Sequence, residues 1–324
     1  MLYIIPTIDT ENMQTAFFNE KYGNDMLDYY HDGQPWATTR LADIFESFGV
    51  EATFFIAVNE ADKLGEDKLR KLVGKLTERK QDVQIHSHPI WADSQVPPRE
   101  LMSQYSLDEQ IQLISNMKRK LRDWTDKWPV AHRAGAYGLD GNTLKALKHN
   151  DIHIDSSMLH GHPNCKVTWS KNNVASKDGL VEIPATGMYV DKILDFGLFK
   201  YNYKKAFIKT DLNHCALEEL MFFVKEAKCN NLKVMNFFMH SYSLIKFDKG
   251  FKNFKPSFEE EKKLIDFIQM CNKDDNIKFI SVGEFWKIYQ DNKLAFSGSD
   301  FAPECKKTIN IYKKAAEKIV RRFR

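Results

Sequence analysis

Four short polar strings in this 324-residue chain stand where apolar runs end. Asp9-Thr10-Glu11 follows Leu2 to Ile8, and His86-Ser87-His88-Pro89 follows Gln81 to Ile85. Arg133-Ala134-Gly135-Ala136-Tyr137-Gly138 follows Trp128 to Ala131, and His240-Ser241 follows Leu232 to Met239. Side chains two apart leave a strand on the same side, so Asp9 and Glu11 aim at one centre, and His86 and His88 do the same. Adjacent carboxylates repel unless a cation or a proton separates them. One of the pair then binds a metal while the other takes a proton; a capped loop is the competing reading of that string alone. Paired imidazoles suit zinc, iron, cobalt or nickel equally. Arg133 would fork onto Asp9 and hold it ionised. The glycine-bearing turn after it would aim N–H groups at a developing oxyanion. His240 is placed to protonate a leaving amine. Taken singly, Arg133 reads as a turn residue and His240 as a core histidine. Delivered together from strand ends, the four strings read as one metal-hydrolase site. A second histidine pair, His160-Gly161-His162-Pro163, reads as an exposed loop, with substrate contact as the other reading.

The elements that must position these strings alternate in type. Helices are expected at Thr38 to Phe48, Glu66 to Arg79, Leu107 to Trp124, Asn142 to His149, Leu217 to Lys228, Phe258 to Cys271 and Gly283 to Asp291. Asn142 would cap the fourth. Further strands are expected at Glu51 to Val58, Ile152 to Ile154 and Ile277 to Val282. Strand–helix alternation predicts an α/β architecture with a parallel sheet or barrel. Residues 1–295 are expected to form it, with aromatic-rich insertions at about 12–36 and 160–214 over the mouth, where the rings stack on sugars or close small cores. Residues 296–324 form a basic tail, read as a terminal helix or as a contact with an anionic membrane face.

A net charge of +3 gives no argument for nucleic acid. Five scattered cysteines with no Cys-x-x-Cys read as reduced thiols in a cytoplasmic protein. The N-terminus runs straight into a strand, with no signal-peptide pattern, and no run of about 18 apolar residues predicts a membrane span.

The order Asp-x-Glu, His-Ser-His-Pro, Arg-Ala-Gly-x-Tyr-Gly, Asp155-Ser156-Ser157 and Phe-Met-His-Ser resembles the polysaccharide deacetylases of carbohydrate esterase family 4, the NodB-homology group, over roughly residues 1–290. It looks closest to the branch tied to O-antigen and other surface polysaccharides. The resemblance implies an irregular (β/α) barrel, often seven-stranded. It implies a divalent metal, zinc before cobalt, nickel, iron or manganese, held by Glu11, His86 and His88. Asp9 would be the base, Arg133 its partner and His240 the acid, with a backbone N–H near Ala136 or Tyr137 on the oxyanion. The chain departs from the family pattern in several places. Thr10 stands where the family has a metal-binding Asp, so that role passes to Glu11. The histidines are spaced i, i+2 rather than i, i+4, leaving Ile90 at the usual second position. The proline of Arg-x-Pro-Tyr is missing. No Asp-Trp pair is present, and Asp155 is the nearest stand-in.

The implied function is removal of an N-acyl group, acetyl or formyl, from an amino sugar on a nucleotide- or lipid-linked saccharide. The site would lie in the cytoplasm or at the inner membrane face. Two alternatives remain: another metal-dependent amide hydrolase, and a non-catalytic sugar-binding or scaffolding protein on the same fold.

Overall fold

The computed structural model describes residues 1–12, 26–92, 98–195, 200–248 and 253–310. The chain alternates as expected. Strand β1 (Leu2–Thr10) is followed by α1 (Thr38–Ser47), β2 (Thr53–Ala57), α2 (Glu66–Glu78) and β3 (Asp82–Ser87). Then come α3 (Leu107–Thr125), β4 (Ala131–Ala134), α4 (Gly141–His149) and β5 (Ile154–Asp155). The middle of the chain holds β6 (Ala175–Lys177), β7 (Leu180–Glu182), β8 (Gly187–Asp195) and β9 (Lys200–Lys209). The last third holds α5 (Leu217–Cys229), β10 (Val234–His240), α6 (Phe258–Cys271), β11 (Ile277–Phe279), α7 (Val282–Asp291) and β12 (Glu304–Asn310).

One sheet carries the site, in the order β10-β1-β2-β3-β4-β5-β7-β6, with β11 beside the start of β1. Its first seven strands run parallel, and β6 is antiparallel to β7. The count therefore departs from seven, through the short strands β6 and β11. The two ends of the curl meet at a seam of threonines rather than a long ladder. Thr210 N–H donates to the Thr186 carbonyl at 2.8 Å, and Phe238 N–H donates to the Thr210 carbonyl at 2.9 Å.

The sheet separates two apolar layers. Inside the curl lie Ile5, Phe55, Ala131, Ile154, Val181 and Val234, closed at the lower end by Phe285, Tyr289 and Phe296. Outside, Ile4, Ile8, Phe54 and Ile85 pack against Leu41, Phe45, Leu72 and Leu113 of the helices. With the lower end plugged, the upper end, where the parallel strands finish, is the natural place for chemistry.

Some expectations change. Helix α4 is capped by Asp140, whose carboxylate accepts the Thr143 N–H at 2.8 Å, so the expected Asn142 cap lies inside the helix. Residues 160–214, read as an insertion, include β7, which belongs to the main sheet. They also include β8 and β9, which pair with β12 in a separate three-stranded sheet ordered β9-β8-β12. Strand β12 spans Glu304–Asn310, just before the stretch in which a terminal helix is expected. Thr308 and Ile309 favour strand, and their partner β8 lies too far away in sequence for a local pattern to reveal it. Residues 311–324 lie outside the described residues, as do 13–25 of the first insertion; Tyr30–His31 and Gln34–Pro35 of that insertion form a small hairpin. The five cysteines are free. Among the described residues, no helix is long and apolar enough to cross a membrane.

Phe285 is fully buried, with its ring centroid 4.3 Å from that of Phe296. Phe285→Ala should lower unfolding stability by about 3–5 kcal/mol in urea titration, while metal content per folded chain stays unchanged.

Candidate metal centre

The upper ends of β1, β3, β4 and β10 bring the four polar strings together. Register sets this directly: Asp9 pairs with His240 across β1 and β10, and His86 with Arg133 across β3 and β4. Strand alternation turns Thr7, Asp9 and Glu11 to one side of β1 and Ile8 and Thr10 to the other. One donor atom each from Glu11, His86 and His88 lies within 4.8 Å of the others.

The donors are prepared for a cation. His86 Nδ1 sits 2.9 Å from the Arg133 carbonyl, an acceptor, so Nδ1 carries the proton and the lone pair is on Nε2. That Nε2 faces Glu11 Oε2 at 3.1 Å and Asp9 Oδ2 at 3.7 Å. His88 is buried, its Nε2 is in close ion-pair contact with Glu11 Oε2, and neither ring nitrogen makes a hydrogen bond. A buried imidazole whose nitrogens have only the Glu11 carboxylate beside them is an expensive arrangement unless one of them ligates. Gly135 makes room for it: a Cβ there would fall 2.6 Å from His88 Nδ1 and closer still to Cε1 and Nε2. Two imidazoles and a carboxylate fit a divalent metal.

Asp9 and Arg133 lie beside these donors. Arg133 is fully buried and donates from Nη1 to Asp9 Oδ1 at 2.7 Å. Its Nε donates to the Ser156 carbonyl at 3.0 Å and its Nη2 to Ser156 Oγ at 2.9 Å. The rings of Phe55 and Phe238 lie 4.2 and 4.7 Å from the guanidinium carbon. Burial alone would raise the Asp9 pKa, but Arg133, then His86 and His240, hold it below the usual carboxylate value. Burial likewise opposes ionisation of Glu11, and His88 and His86 reverse that, leaving it well below the usual range.

His240 completes the far side, with Nε2 3.9 Å from Glu11 Oε1 and its ring stacked on Tyr242 at 5.0 Å. Burial and Lys209 lower its pKa. Ala136 and Tyr137 form a tight turn with φ of 48° and 58°, a strained left-handed pair that such sites retain for a purpose. The 160–166 loop wraps this turn instead of standing free: His162 packs on Tyr137 at 4.6 Å, and Asn164 Nδ2 donates to the Ala136 carbonyl at 3.0 Å.

Asp155 is not brought to the site. Its carboxylate bonds His132 Nδ1 at 2.9 Å and the Ser157 hydroxyl at 2.7 Å, on the opposite side of the strands. Its neighbour Ser156 turns inward instead.

Three buried groups at the site were not singled out in the sequence. Glu60 accepts the Asn12 N–H and the Asn12 Nδ2, both at 2.9 Å, and so holds the chain just after Glu11. Burial pushes its carboxyl up to about 8. Lys209 sits over the Phe238 ring, with Nζ 3.1 Å from Asp211 Oδ2. Asn236 bonds Thr7 and reaches Arg133. Glu60 and Lys209 each stand at the end of an apolar run, Phe54 to Val58 and Ala206 to Ile208, so the rule that found the other strings applies to them too.

No protein-family model matches the chain, and no curated protein matches it in sequence. Solved structures share its fold. A protein described as a polysaccharide deacetylase from Mycobacterium smegmatis superposes with a TM-score of 0.59 at 16% identity, covering 94% of each chain. Another so described, from Pseudomonas aeruginosa PAO1, gives 0.56 at 12% identity over 90% of this chain and 91% of that one. Puue allantoinase gives 0.52 at 14% identity, also over 90% and 91%.

Three outcomes follow for this centre. The purified protein should carry one divalent metal per chain by elemental analysis, and His88→Ala should lose it; equal content in both would remove the assignment. Gly135→Ala should weaken metal retention in the same assay. Acid titration tests the Asp9 pair. Its folded pKa lies below the unfolded value near 3.8, so its stabilisation is present above that value and is lost as pH falls through the folded one. Below pH 3.8, stability should therefore drop more steeply with acid in the wild type than in Asp9→Asn.

Proposed function

We propose that the chain is a metal-dependent hydrolase that removes an N-acyl group, acetyl or formyl, from an amino sugar during surface-polysaccharide assembly on the cytoplasmic side. One observation carries this reading: Glu11, His86 and His88 meet at the strand ends with the Asp9–Arg133 pair and His240 beside them. The fold that presents them is the one shared with the two deacetylase-described structures.

Glu11, His86 and His88 would hold the cation, with zinc as the first choice and cobalt, nickel, iron or manganese as the others the donor set accepts. A bound divalent ion supplies Lewis acidity, acidifying water and polarising an amide carbonyl. The rest of the chemistry falls to the chain. Arg133 keeps Asp9 ionised and aimed, so Asp9 takes a proton from the attacking water. The successive N–H groups of the Ala136–Tyr137 turn form a concavity for the oxyanion. The leaving amine departs only when protonated, and His240 gives that proton. Its lowered pKa makes its protonated form a stronger acid. Tyr137 with His162, and Tyr242 against His240, supply flat faces for a sugar ring.

The assay is acetate or formate release from N-acylated nucleotide sugars and lipid-linked saccharides. His240→Ala should keep its metal and fold and lose about 10²–10⁴ in turnover. Full activity in that variant would remove the acid role. No release from any such substrate by metal-loaded protein would favour a sugar-binding protein instead.

A further inference from the structure

We infer, resting on the function proposed above, that Lys209 sets substrate specificity by receiving a negatively charged group, a phosphate or a carboxylate, borne by the sugar in the site. Lys209 is the last residue of β9, and the chain runs on through Thr210 to Asp211, which bridges to Phe238 of β10. Lys209 Nζ lies 3.3 Å from the centre of the Phe238 ring and 5.6 Å from that of Tyr137. The Phe238 ring also lies against Arg133. Two cations thus share one ring, and each has its own carboxylate: Asp9 for Arg133 and Asp211 for Lys209.

The two pairs are not equivalent. Arg133 is fully buried, and all three of its nitrogens donate to protein acceptors. The Lys209 side chain is 12% exposed where that of Asp211 is 1%, so the lysine is the member of its pair that reaches the mouth. Its 3.1 Å contact with Asp211 is an ion pair without a hydrogen bond, and Asp211 Oδ2 has no hydrogen-bond partner among the described residues. Asp211 Oδ1 is engaged elsewhere. It accepts the Asn213 N–H at 2.8 Å and the His214 N–H at 3.2 Å, with the His214 ring 3.3 Å away. One carboxylate charge shared among these donors offsets the ammonium only in part. An ammonium has three N–H donors, and a charged acceptor entering from the mouth would take them up in strong, charge-assisted bonds.

The surroundings choose the kind of ligand. Tyr137 packs on His162, and His240 stacks on Tyr242. Burial, and after it the charge of Lys209, lowers the pKa of both His162 and His240, so the ammonium stands within electrostatic reach of both aromatic pairs. Flat faces suit a sugar ring, and a cation beside them suits a sugar that bears an anion. A purely apolar group in place of the buried pair would serve stability as well. A phosphate on the anomeric carbon and a carboxylate in place of the primary hydroxyl are the two sources of such a charge.

The test is calorimetric titration of the metal-loaded, full-length chain with three N-acetylglucosamine compounds: the neutral methyl glycoside, the 1-phosphate, and the methyl glycoside of the uronic acid. At least one charged compound should bind about 10–100-fold more tightly than the neutral one. Which of the two does so identifies the source of the charge. K209M should bring that ratio close to one, and K209R should keep most of it, with metal content and melting as in the wild type. Equal binding of all three compounds by the wild type would overturn the proposal, whatever the variants do. A preference that persists in K209M would overturn it too, because the metal would then be its source. Acetate release measured on the same compounds keeps the two readings apart. A Lys209-dependent preference without release would support the anion contact and remove the deacetylase reading, whereas release without any preference would do the reverse.

Discussion

The buried Arg133–Asp9 pair is the interaction on which the rest of the upper barrel depends. Taking two ions out of water costs several kcal/mol for each, and their attraction offsets this only when the remaining donors and acceptors are also satisfied. The sheet provides that satisfaction from four strands or their ends. Ser156 receives the other guanidinium N–H groups, Asn236 stands behind them, and the rings of Phe55 and Phe238 cover the faces. Asn236 in turn binds Thr7 at 2.7 Å and Ser156 Oγ at 3.1 Å. Its backbone carbonyl accepts from Thr186 and Thr210 at the seam. The charge pair thus lies in the same hydrogen-bonded network that holds the curl together. A change that loosens the seam should reach Asp9 through two or three bonds.

Alternation on the strands keeps two polar systems apart. His86 and Arg133 turn into the curl, while Ser87 and His132, their immediate neighbours, turn out toward the helices. There Ser87 Oγ lies 2.9 Å from His132 Nε2, and His132 Nδ1 lies 2.9 Å from Asp155. All three are fully buried. The order Ser–His–Asp suggests a nucleophile, but the burial argues for a brace. It fixes the backbone of β3 between His86 and His88 and that of β4 beside Arg133. Burial and the neighbouring Asp155 raise the Glu182 carboxyl well above the usual range, while burial of Asp155 is outweighed by His132, which holds it below.

Much of the site was legible because its information is local. A polar residue at the end of an apolar run has few places to go in a parallel sheet, and the i, i+2 pairs share a side by geometry alone. Asp9, Glu11, His86, His88, Arg133 and His240 all followed from that rule. Glu60 and Lys209 stand at the ends of apolar runs as well, but neither offers the i, i+2 pairing of like ligand types that marks the carboxylate and histidine strings. Asp155 shows the complementary limit: one position along a strand reverses the side, and Ser156 is the inward residue. The helices and the parallel strands were legible from period, whereas β12 was not. Its pairing with β8 joins residues more than a hundred positions apart, beyond the reach of any local pattern.

Parity also explains how the departures from the family pattern leave a coherent centre. The residue after Asp9 faces away from the curl, and Thr10 there bonds back to its own strand at the Ile8 carbonyl. A carboxylate at that position would need the strand to end or twist first. Here β1 stays in register with β10 through Asp9 and His240, so the next inward position is Glu11. The extra methylene of glutamate over aspartate then reaches back toward the histidines from one residue further on. Its backbone is held on both sides: Ser241 Oγ donates to the Glu11 carbonyl at 2.8 Å, and Glu60 clamps Asn12. The i, i+2 histidines follow the same logic, because both leave a β3 that remains extended to Ser87 instead of turning into a loop after the first ligand. Strand-like ends on β1 and β3 thus act together: lengthening either strand by one residue alone would turn its ligands away, and keeping both extended preserves the three-donor meeting point with a different spacing.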